Sequence, residues 1–214
     1  MAARTQQRSI PPDKHHLGRG MEQFHHPRPV CVGGRPTPQR ERLLGGLTGR
    51  VLEIGAGDGV KLTCYPTAVQ EIVLVEGDPF LRAAAQLTAG EVDIPVRVID
   101  GGLSRLPVPD ASCHAVVTSL VLCCSPSATE TLHEVRRVLR PGGELRFYEH
   151  QRSGNHMIAM CESLVSPLWS RALGGCHPAR DTLAALQHAG FTVDGAERFA
   201  FHHMRHVLGT ARPR

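Results

Sequence analysis

A glycine-rich turn directly after a short apolar segment has the clearest chemical meaning in this sequence. Residues 50–54 are apolar enough for a buried strand, and glycines follow at positions 55, 57 and 59. Gly55 and Gly57 let the backbone approach a ligand closely, because a Cβ atom there would collide with it. The dinucleotide-binding spacing needs a glycine at position 60, where this chain has Val60. The turn therefore suits a nucleoside that lacks a pyrophosphate.

Two acidic residues have the spacing expected around such a turn. Glu53 comes just before the glycines, where its carboxylate can meet a cationic ammonium group directly or through water. Glu76 ends the next apolar run, 21 residues after Gly55, and an acid there can accept hydrogen bonds from both ribose hydroxyls. The turn and the two acids together predict a nucleoside cofactor with an amino-acid tail.

His150 is the first candidate for a catalytic base or an orienting group. It ends the fifth predicted strand, and ligands of α/β sheets bind at the carboxyl ends of the strands. Histidine is also the most frequent general base in enzymes. A structural histidine that bonds a backbone carbonyl is the open alternative.

No metal site is predicted. The paired histidines at positions 15–16 and 25–26 lie in a segment without the regularity of a metal site. The seven cysteines form no CxxC pair and no zinc-type spacing, and several stand in apolar runs, where cysteine behaves as a small hydrophobic residue. Unpaired cysteines indicate a reducing, cytoplasmic location.

Alternating strands and helices must position these groups. Strands are predicted at residues 50–54, 71–76, 95–99, 114–122, 144–149, 191–201 and 204–210. Helices are predicted at residues 38–47, 80–89, 128–139 and 179–189, with a further helical stretch directly after the glycines and a stop at Pro141-Gly142-Gly143. Such alternation predicts an α/β fold with a parallel sheet covered by helices on both faces.

The composition limits the range of functions. Residues 1–50 hold nine of the 24 basic residues and three of the 20 acids, so the rest of the chain is slightly acidic. A nucleic-acid-binding surface is therefore not predicted on the body. No segment has the apolar length of a membrane span or the core of a signal peptide. Residues 1–36 have no regular period and are interpreted as a flexible or lid-forming arm before one domain, 37–214.

The motifs resemble the class I S-adenosylmethionine-dependent methyltransferases. VLEIGAGDG looks like the first motif of that family, LVEGDP like the end of its second strand, and HEVRRVLRPGGELRFYEH like its helix, turn and fifth strand. The resemblance implies a Rossmann-like fold with a mostly parallel seven-stranded sheet. It also implies S-adenosyl-L-methionine as the cofactor. The implied contact residues are Glu53, Gly55, Ala56, Gly57, Glu76, Gly77, Asp78, Gly102, Leu103, Ser119 and Leu120.

A closer resemblance is to the methyltransferase-like group whose animal members methylate thiols. SLVLCC, RPGG, EH, PLW, GGC and the final AGF carry it. It implies that residues 151–178 form a substrate cap, where His156, Trp169 and His177 are candidate substrate-binding residues. The animal members have an N-terminal membrane anchor, which this sequence is not expected to have.

Two positions depart from the family pattern. The usual acid of the adenine loop, within residues 101–110, falls on Gly102, so a carboxylate contact to the adenine amino group is expected to be lost. Leu103 can still present its backbone N–H to the ring. His114 replaces the acid that often opens the fourth strand.

The sequence therefore predicts a methyltransferase that acts on a small molecule, with thiol sulfur slightly favoured over oxygen, nitrogen or carbon. Two other functions stay open: a nicotinamide oxidoreductase, against which Val60 argues, and a non-catalytic cofactor-binding protein, which Gly102 and His114 allow. The identity of the acceptor depends on side chains of the cap and arm that follow no shared code.

Overall fold

Seven strands and five α-helices make up the described part of the chain. The computed structural model describes residues 37–172, 175–201 and 204–214, so the predicted arm and its paired histidines lie outside it. The strands are β1 (Gly49–Ile54), β2 (Val69–Val75), β3 (Val96–Ile99), β4 (Cys113–Ser119), β5 (Leu139–His150), β6 (Phe191–Phe201) and β7 (Met204–Pro213). The helices are α1 (Pro38–Leu44), α2 (Pro79–Ala89), α3 (Ala128–Val138), α4 (His156–Ala172) and α5 (Thr182–His188).

One sheet contains all seven strands, in the order β3-β2-β1-β4-β5-β7-β6. Each pair among the first five strands is parallel, whereas β7 runs antiparallel to both β5 and β6. The predicted mostly parallel seven-stranded sheet is confirmed. The strand order reverses between β1 and β4, and ligands of open α/β sheets bind outside the carboxyl ends of the strands at such a reversal.

Helices cover both faces of the sheet, as the alternation of elements predicts. Neighbouring residues of β5 show the two faces: Phe147 packs in the cluster that contains α3 and α5, and Tyr148 packs in the cluster that contains α1 and α2. Side chains of a strand alternate between faces, so one buried strand serves both layers. No helix in the described ranges is long and apolar enough to cross a membrane.

Several predicted boundaries are wrong. The helical stretch expected after the glycines is a single 3-10 turn, Leu62–Cys64. The first helix ends at Leu44 rather than position 47, because Gly45 and Gly46 follow, and Gly46 has a left-handed φ of 75°. The last helix begins at Thr182 rather than position 179, because Asp181 caps it by accepting from the Ala184 N–H.

The turn at residues 141–143 also differs from the prediction. Helix α3 already ends at Val138, and β5 begins at Leu139, so Pro141-Gly142-Gly143 lie inside the first part of the strand. The register with β4 shifts there, as in a β-bulge. The fourth strand ends at Ser119, three residues before its predicted end.

Candidate cofactor and acceptor site

The three glycines of the turn after β1 are all left-handed, with φ of 61°, 65° and 77°. Each has a different surrounding. A Cβ on Gly55 would lie 2.6 Å from a methyl carbon of Val121, so neighbouring protein, not only a ligand, excludes a side chain there. Gly59 packs against Ala85 of α2, whereas a Cβ on Gly57 would meet nothing within 4 Å. Gly57 therefore faces open space beside the turn.

Glu76 fixes this turn from the end of β2. Its carboxylate accepts hydrogen bonds from the backbone N–H of Gly57 at 2.7 Å and of Asp78 at 3.0 Å, and the residue is 8% exposed. A carboxylate has about four lone-pair sites, so two acceptor positions are left for a ligand. The predicted contact of Glu76 with ribose hydroxyls fits this geometry.

Glu53 has two protein partners that the sequence did not reveal. Its carboxylate lies 2.7 Å from the Lys61 ammonium and accepts a hydrogen bond of 2.7 Å from the Tyr65 hydroxyl. All three residues are buried. The predicted contact of Glu53 with a cofactor ammonium therefore has Lys61 as a competitor for the same carboxylate.

The residues after Glu76 continue the predicted ribose edge. Gly77 is exposed, and Asp78 caps α2 by accepting from the N–H groups of Phe80 and Leu81 at 2.8 and 3.1 Å. The cap explains why α2 begins at Pro79. A cofactor contact of Asp78 would have to use the oxygen that does not cap the helix.

The adenine loop has an open position at the predicted departure from the family. Gly102 is exposed, and a Cβ there would meet nothing within 4 Å, while Leu103 is half-buried against the core. Arg137 of α3 holds the rest of the loop by donating to the carbonyls of Leu106 and Val108, both at 2.9 Å. The loop is therefore fixed from one side and open at Gly102.

Arg137 is itself oriented by Glu134, one turn earlier on α3. The guanidinium donates two hydrogen bonds to Glu134, which also accepts from the backbone N–H of Leu106. The hydrogen bond from Arg137 is the main reason why the pKa of Glu134 lies below its usual value of 4.5. The ion pair between Arg137 and Glu134 thus joins α3 to the adenine loop, and its two side chains are 29% and 17% exposed.

His114 lies at the amino ends of the strands, opposite to the carboxyl ends where the glycine turn lies. It stands near the beginning of β4, where its Nδ1 accepts a hydrogen bond of 3.0 Å from the Arg50 N–H. Its ring also fills the space beside Gly49. Burial lowers the pKa of His114, so it has the properties of a structural histidine.

The carboxyl end of β4 contains a strained residue. Leu120 has a positive φ of 58°, although it is not glycine, and its N–H donates to the Tyr148 carbonyl at 2.7 Å. Ser119 precedes it and is buried. Left-handed non-glycine residues cluster at functional sites, where the surrounding structure holds them in place. The predicted methyl position beside Ser119 and Leu120 coincides with this strain.

Glu149 shapes the turn that follows. Its buried carboxylate accepts hydrogen bonds from the N–H groups of Val121 and Cys123 at 3.1 and 3.2 Å. Burial raises the pKa of Glu149 to about 7. The turn at residues 121–124 is thereby attached to β5 on one side and to Gly55, through the Val121 side chain, on the other.

His150 is enclosed rather than open to solvent. The residue is 6% exposed, and its Nδ1 lies 3.3 Å from the Cys123 sulfur and 3.2 Å from the Cys176 sulfur. The His206 ring lies with its centroid 4.7 Å away. Burial lowers the pKa of His150 to about 4, so the imidazole is neutral near pH 7.

Three cysteines converge beside His150. The sulfur atoms of Cys123, Cys124 and Cys176 all lie within 4.8 Å of one another. Sequence reasoning missed this cluster because two of the residues are adjacent and the third is 52 positions later, which matches no metal-binding spacing. The GGC segment contains Cys176, but its pattern indicates only a family resemblance.

The predicted substrate-binding residues have three different environments around α4. The His177 ring nitrogens lie 3.4 Å from the Ser166 hydroxyl and 3.3 Å from the Ser170 hydroxyl. The backbone N–H of His177 donates to the Cys123 carbonyl at 2.8 Å. Trp169 is half-buried, and its indole nitrogen has no hydrogen-bond partner among the described residues. His156 is exposed at the start of the helix. The structure therefore joins His177 to the cysteines and leaves His156 outside.

A cavity of about 710 Å³ opens beyond the end of β5. Arg152, Arg198 and Arg205 line it together with Asp181 and the His206 ring. Its size is within the range of small-molecule sites. The His206 ring lies tilted against the His150 ring, so one wall of the cavity borders the residue that contacts Cys123 and Cys176.

Comparison with known proteins relates this chain to methyltransferases. The methyltransferase domain family matches residues 52–147. A human protein named thiol S-methyltransferase TMT1B is 33% identical over 160 residues, which cover 72% of this chain. The chain spans 66% of the length of that relative and 59% of its rat counterpart.

Solved structures share the fold at low identity. An S-adenosylmethionine-dependent methyltransferase from Mesorhizobium loti has a TM-score of 0.62 at 17% identity, covering 85% of this chain and 99% of its own. The [4+2]-cyclase SpnF has a TM-score of 0.64 at 20% identity, covering 81% of this chain and 80% of its own. These likenesses concern the fold. The domain match and the human relative show that the chain belongs to the methyltransferase family, and the solved structures show that it has the class I S-adenosylmethionine-dependent methyltransferase fold.

Proposed function

We propose that the protein transfers a methyl group from S-adenosyl-L-methionine to a small molecule, with a thiol as the favoured acceptor. One observation carries the proposal: the left-handed Gly57 faces open space while the Glu76 carboxylate, which accepts the Gly57 N–H, keeps free acceptor positions. An amide-lined opening beside a ribose-binding acid suits a nucleoside with an amino-acid tail.

The cofactor supplies a sulfonium methyl group for in-line displacement, so the protein mainly has to align donor and acceptor. Glu76 would hold the ribose, Leu103 would present its N–H to the adenine, and Ser119 with Leu120 would border the methyl group. The strained Leu120 fixes the end of β4, which limits movement at the point of transfer. Exclusion of water by the enclosing segments strengthens the electrostatic contacts of a cationic donor.

A thiol acceptor is favoured because His150 is poorly placed to take a proton from a bound alcohol or amine. Its Nδ1 faces two sulfur atoms and the residue is 6% exposed. A thiol needs less assistance, since a few per cent is already thiolate near neutral pH at a pKa of about 8.5. Methylation of oxygen, nitrogen or carbon is the second candidate, and the non-catalytic cofactor-binding protein is the third.

The cap at residues 151–178 would contain helix α4 and determine the acceptor. Several large apolar side chains of α4 are exposed: Met157, Ile158, Met160, Leu164, Val165 and Leu168. His177, whose backbone N–H donates to the Cys123 carbonyl, and the buried indole nitrogen of Trp169, which has no partner in the described ranges, are the polar groups favoured to contact an acceptor. His156, exposed at the start of α4, is the least favoured of the three predicted residues.

A panel of acceptors tests the proposal. The protein is incubated with S-adenosyl-L-methionine and matched thiol, phenol and amine compounds, and products that gain one methyl group are detected by mass spectrometry. We expect methylated thiol together with an equal amount of S-adenosylhomocysteine. Turnover of phenols or amines without thiols would overturn the acceptor preference, and cofactor binding without any product would favour the non-catalytic alternative.

A further inference from the structure

We infer that Cys123, Cys124, Cys176 and His150 form a binding site for one zinc ion at the carboxyl edge of the sheet. The inference goes beyond methyl transfer, and it is independent of whether the acceptor is a thiol. Cysteine thiolates and imidazole nitrogen are the ligands that zinc prefers in proteins. Sets of three cysteines and one histidine are common in zinc sites.

The distances within the cluster are close to those of a tetrahedral zinc site. With Zn–S bonds of about 2.3 Å and Zn–N bonds of about 2.0 Å, sulfur ligands lie about 3.8 Å apart and sulfur and nitrogen about 3.5 Å apart. The Cys123 and Cys124 sulfurs are 3.7 Å apart. The His150 Nδ1 is 3.3 and 3.2 Å from the sulfurs of Cys123 and Cys176. The Cys176 sulfur lies within 4.8 Å of the other two sulfurs. Shifts of up to about 1 Å would therefore fit an ion among Cys123, Cys176 and His150, and rotation of Cys124 would complete the set.

The backbone around the cysteines is held in place before any ion binds. Glu149 accepts from the Cys123 N–H, and the His177 N–H donates to the Cys123 carbonyl, so both backbone polar groups of this residue are satisfied. Arg180 donates to the carbonyls of Leu122 and Ser125, which joins the segment that contains Cys176 to the turn that contains Cys123. Hydrogen bonds of this kind orient metal ligands and raise the affinity for the ion.

The His150 Nδ1 faces two of the sulfurs, which argues for a ligand role over a chance cluster of small apolar residues. Cys123 and Cys176 are buried, and Cys124 is half-buried, so the site is shielded and has a path for entry. The cluster also lies next to the cofactor turn, because Val121, two residues before Cys123, packs against Gly55. An ion there would join β4, β5 and the segment after α4 at the edge where ligands of this fold bind.

Metal binding by the whole protein tests the inference. The protein is purified with a phosphine reductant, its metal content is measured, and it is then stripped with a chelator and titrated with Co²⁺ and Zn²⁺. We expect one ion per chain. The Co²⁺ form should show sulfur-to-cobalt charge-transfer bands and the intense visible bands of tetrahedral coordination, and equimolar Zn²⁺ should remove both.

Variants separate ligands from other cysteines. Cys124→Ser and Cys176→Ser should each weaken Zn²⁺ binding at least about tenfold, while Cys161→Ser, an exposed position on α4, should bind like the unchanged protein. Circular dichroism on each variant confirms that it is folded. His150→Ala should retain the sulfur-to-cobalt bands but bind Zn²⁺ more than about 100-fold more weakly, since loss of an outer-shell partner alone costs about 10- to 100-fold.

Three results would overturn the inference. The first is the absence of charge-transfer bands in the folded, reduced protein. The second is an unchanged Zn²⁺ affinity in Cys124→Ser and Cys176→Ser. The third is unchanged affinity in His150→Ala, which would remove His150 from the ligand set.

Discussion

The candidate site has two halves that are built in different ways. The cofactor half lies at the carboxyl ends of β1 and β2, and the cysteine half lies at the carboxyl ends of β4 and β5. On the side of β1 and β2, a short continuous stretch of chain supplies the turn, and Glu76 accepts a hydrogen bond from the Gly57 N–H of that turn. On the side of β4 and β5, side chains from three distant segments meet at Cys123, His150 and Cys176. The first half uses backbone donors and glycines, whereas the second depends on tertiary packing. Val121, which packs against Gly55, is the contact that joins them.

This difference determines how substitutions should act. In the first half, binding depends on a few groups with local geometry, so single changes should alter cofactor affinity strongly. In the second half, the groups that contact one another are buried, so a change should affect the cluster more than the cofactor. The five predictions below test this division, from the largest expected effect to the smallest.

Removal of the buried cation at the glycine turn should have the largest effect on stability. Lys61→Met leaves the Glu53 carboxylate buried without its ion-pair partner. We expect a loss of about 3–5 kcal/mol in the free energy of unfolding, measured by urea denaturation. Tyr65→Phe removes only a hydroxyl donor from the same carboxylate and should cost about 1–2 kcal/mol. Equal effects of the two changes would contradict the buried ion pair.

Replacement of Glu76 should weaken cofactor binding more than any substitution in the cysteine half. Glu76→Ala removes both the acceptor of the Gly57 N–H and the predicted ribose contact. We expect S-adenosyl-L-methionine to bind about 10- to 100-fold more weakly by calorimetry, as for one or two hydrogen bonds to a charged group. His150→Ala should change this affinity less. The reverse order would reverse the roles assigned to the two halves.

The hydrogen bonds from Arg137 to the adenine loop should make an intermediate contribution to the free energy of unfolding. Arg137→Ala removes the donors to Leu106 and Val108 and should lower the free energy of unfolding by about 2 kcal/mol at pH 7. Arg136→Ala, one residue earlier, should cost less because Arg136 donates at the chain end, to Arg214.

Acid should reduce the effect of the Arg137 change. Arg137 lowers the pKa of Glu134, so this ion pair stabilises the fold fully above pH 4.5 and loses that contribution as pH falls through the lowered pKa. The stability difference between the unchanged protein and Arg137→Ala should therefore shrink below pH 4.5. A constant difference from pH 7 to pH 3 would refute this coupling.

Restoring the missing acid of the adenine loop should have the smallest effect. Gly102→Asp introduces a carboxylate where a Cβ meets no neighbour, so the change should not disturb the fold. We expect up to about tenfold tighter binding of S-adenosyl-L-methionine, consistent with one added hydrogen bond of about 1 kcal/mol. Gly102→Asn, which has the same shape without the charge, is the matched control and should gain less.

The sequence predicted the fold well and located the glycine turn, because both depend on local patterns. Alternating apolar segments predicted all seven strands, and the Gly55–Gly57 spacing located the turn. Close approach of a ligand explains Gly55 only in part, since a Cβ there would also collide with the Val121 side chain from a distant segment. The partners of Glu53 were also missed, because Lys61 and Tyr65 lie in a stretch predicted as a regular helix that is a single 3-10 turn instead.

The contacts of the cysteine half could not be predicted, because they join residues that are far apart in the sequence. Cys176 meets Cys123 only when the chain after α4 folds back over the end of β4. No periodicity or spacing rule connects positions 123 and 176. The same holds for the enclosure of His150, which depends on β7 bringing His206 beside it. The sequence placed His150 at the end of β5 but did not reveal its surroundings.

A calorimetric titration of the unchanged protein tests the central claim most directly. S-adenosyl-L-methionine, S-adenosylhomocysteine and NAD are titrated separately into the same preparation. The structure predicts that the first two bind one per chain and that NAD does not bind, because Val60 stands where the third glycine of a dinucleotide site is needed. Tight binding of NAD without binding of S-adenosyl-L-methionine would contradict the account.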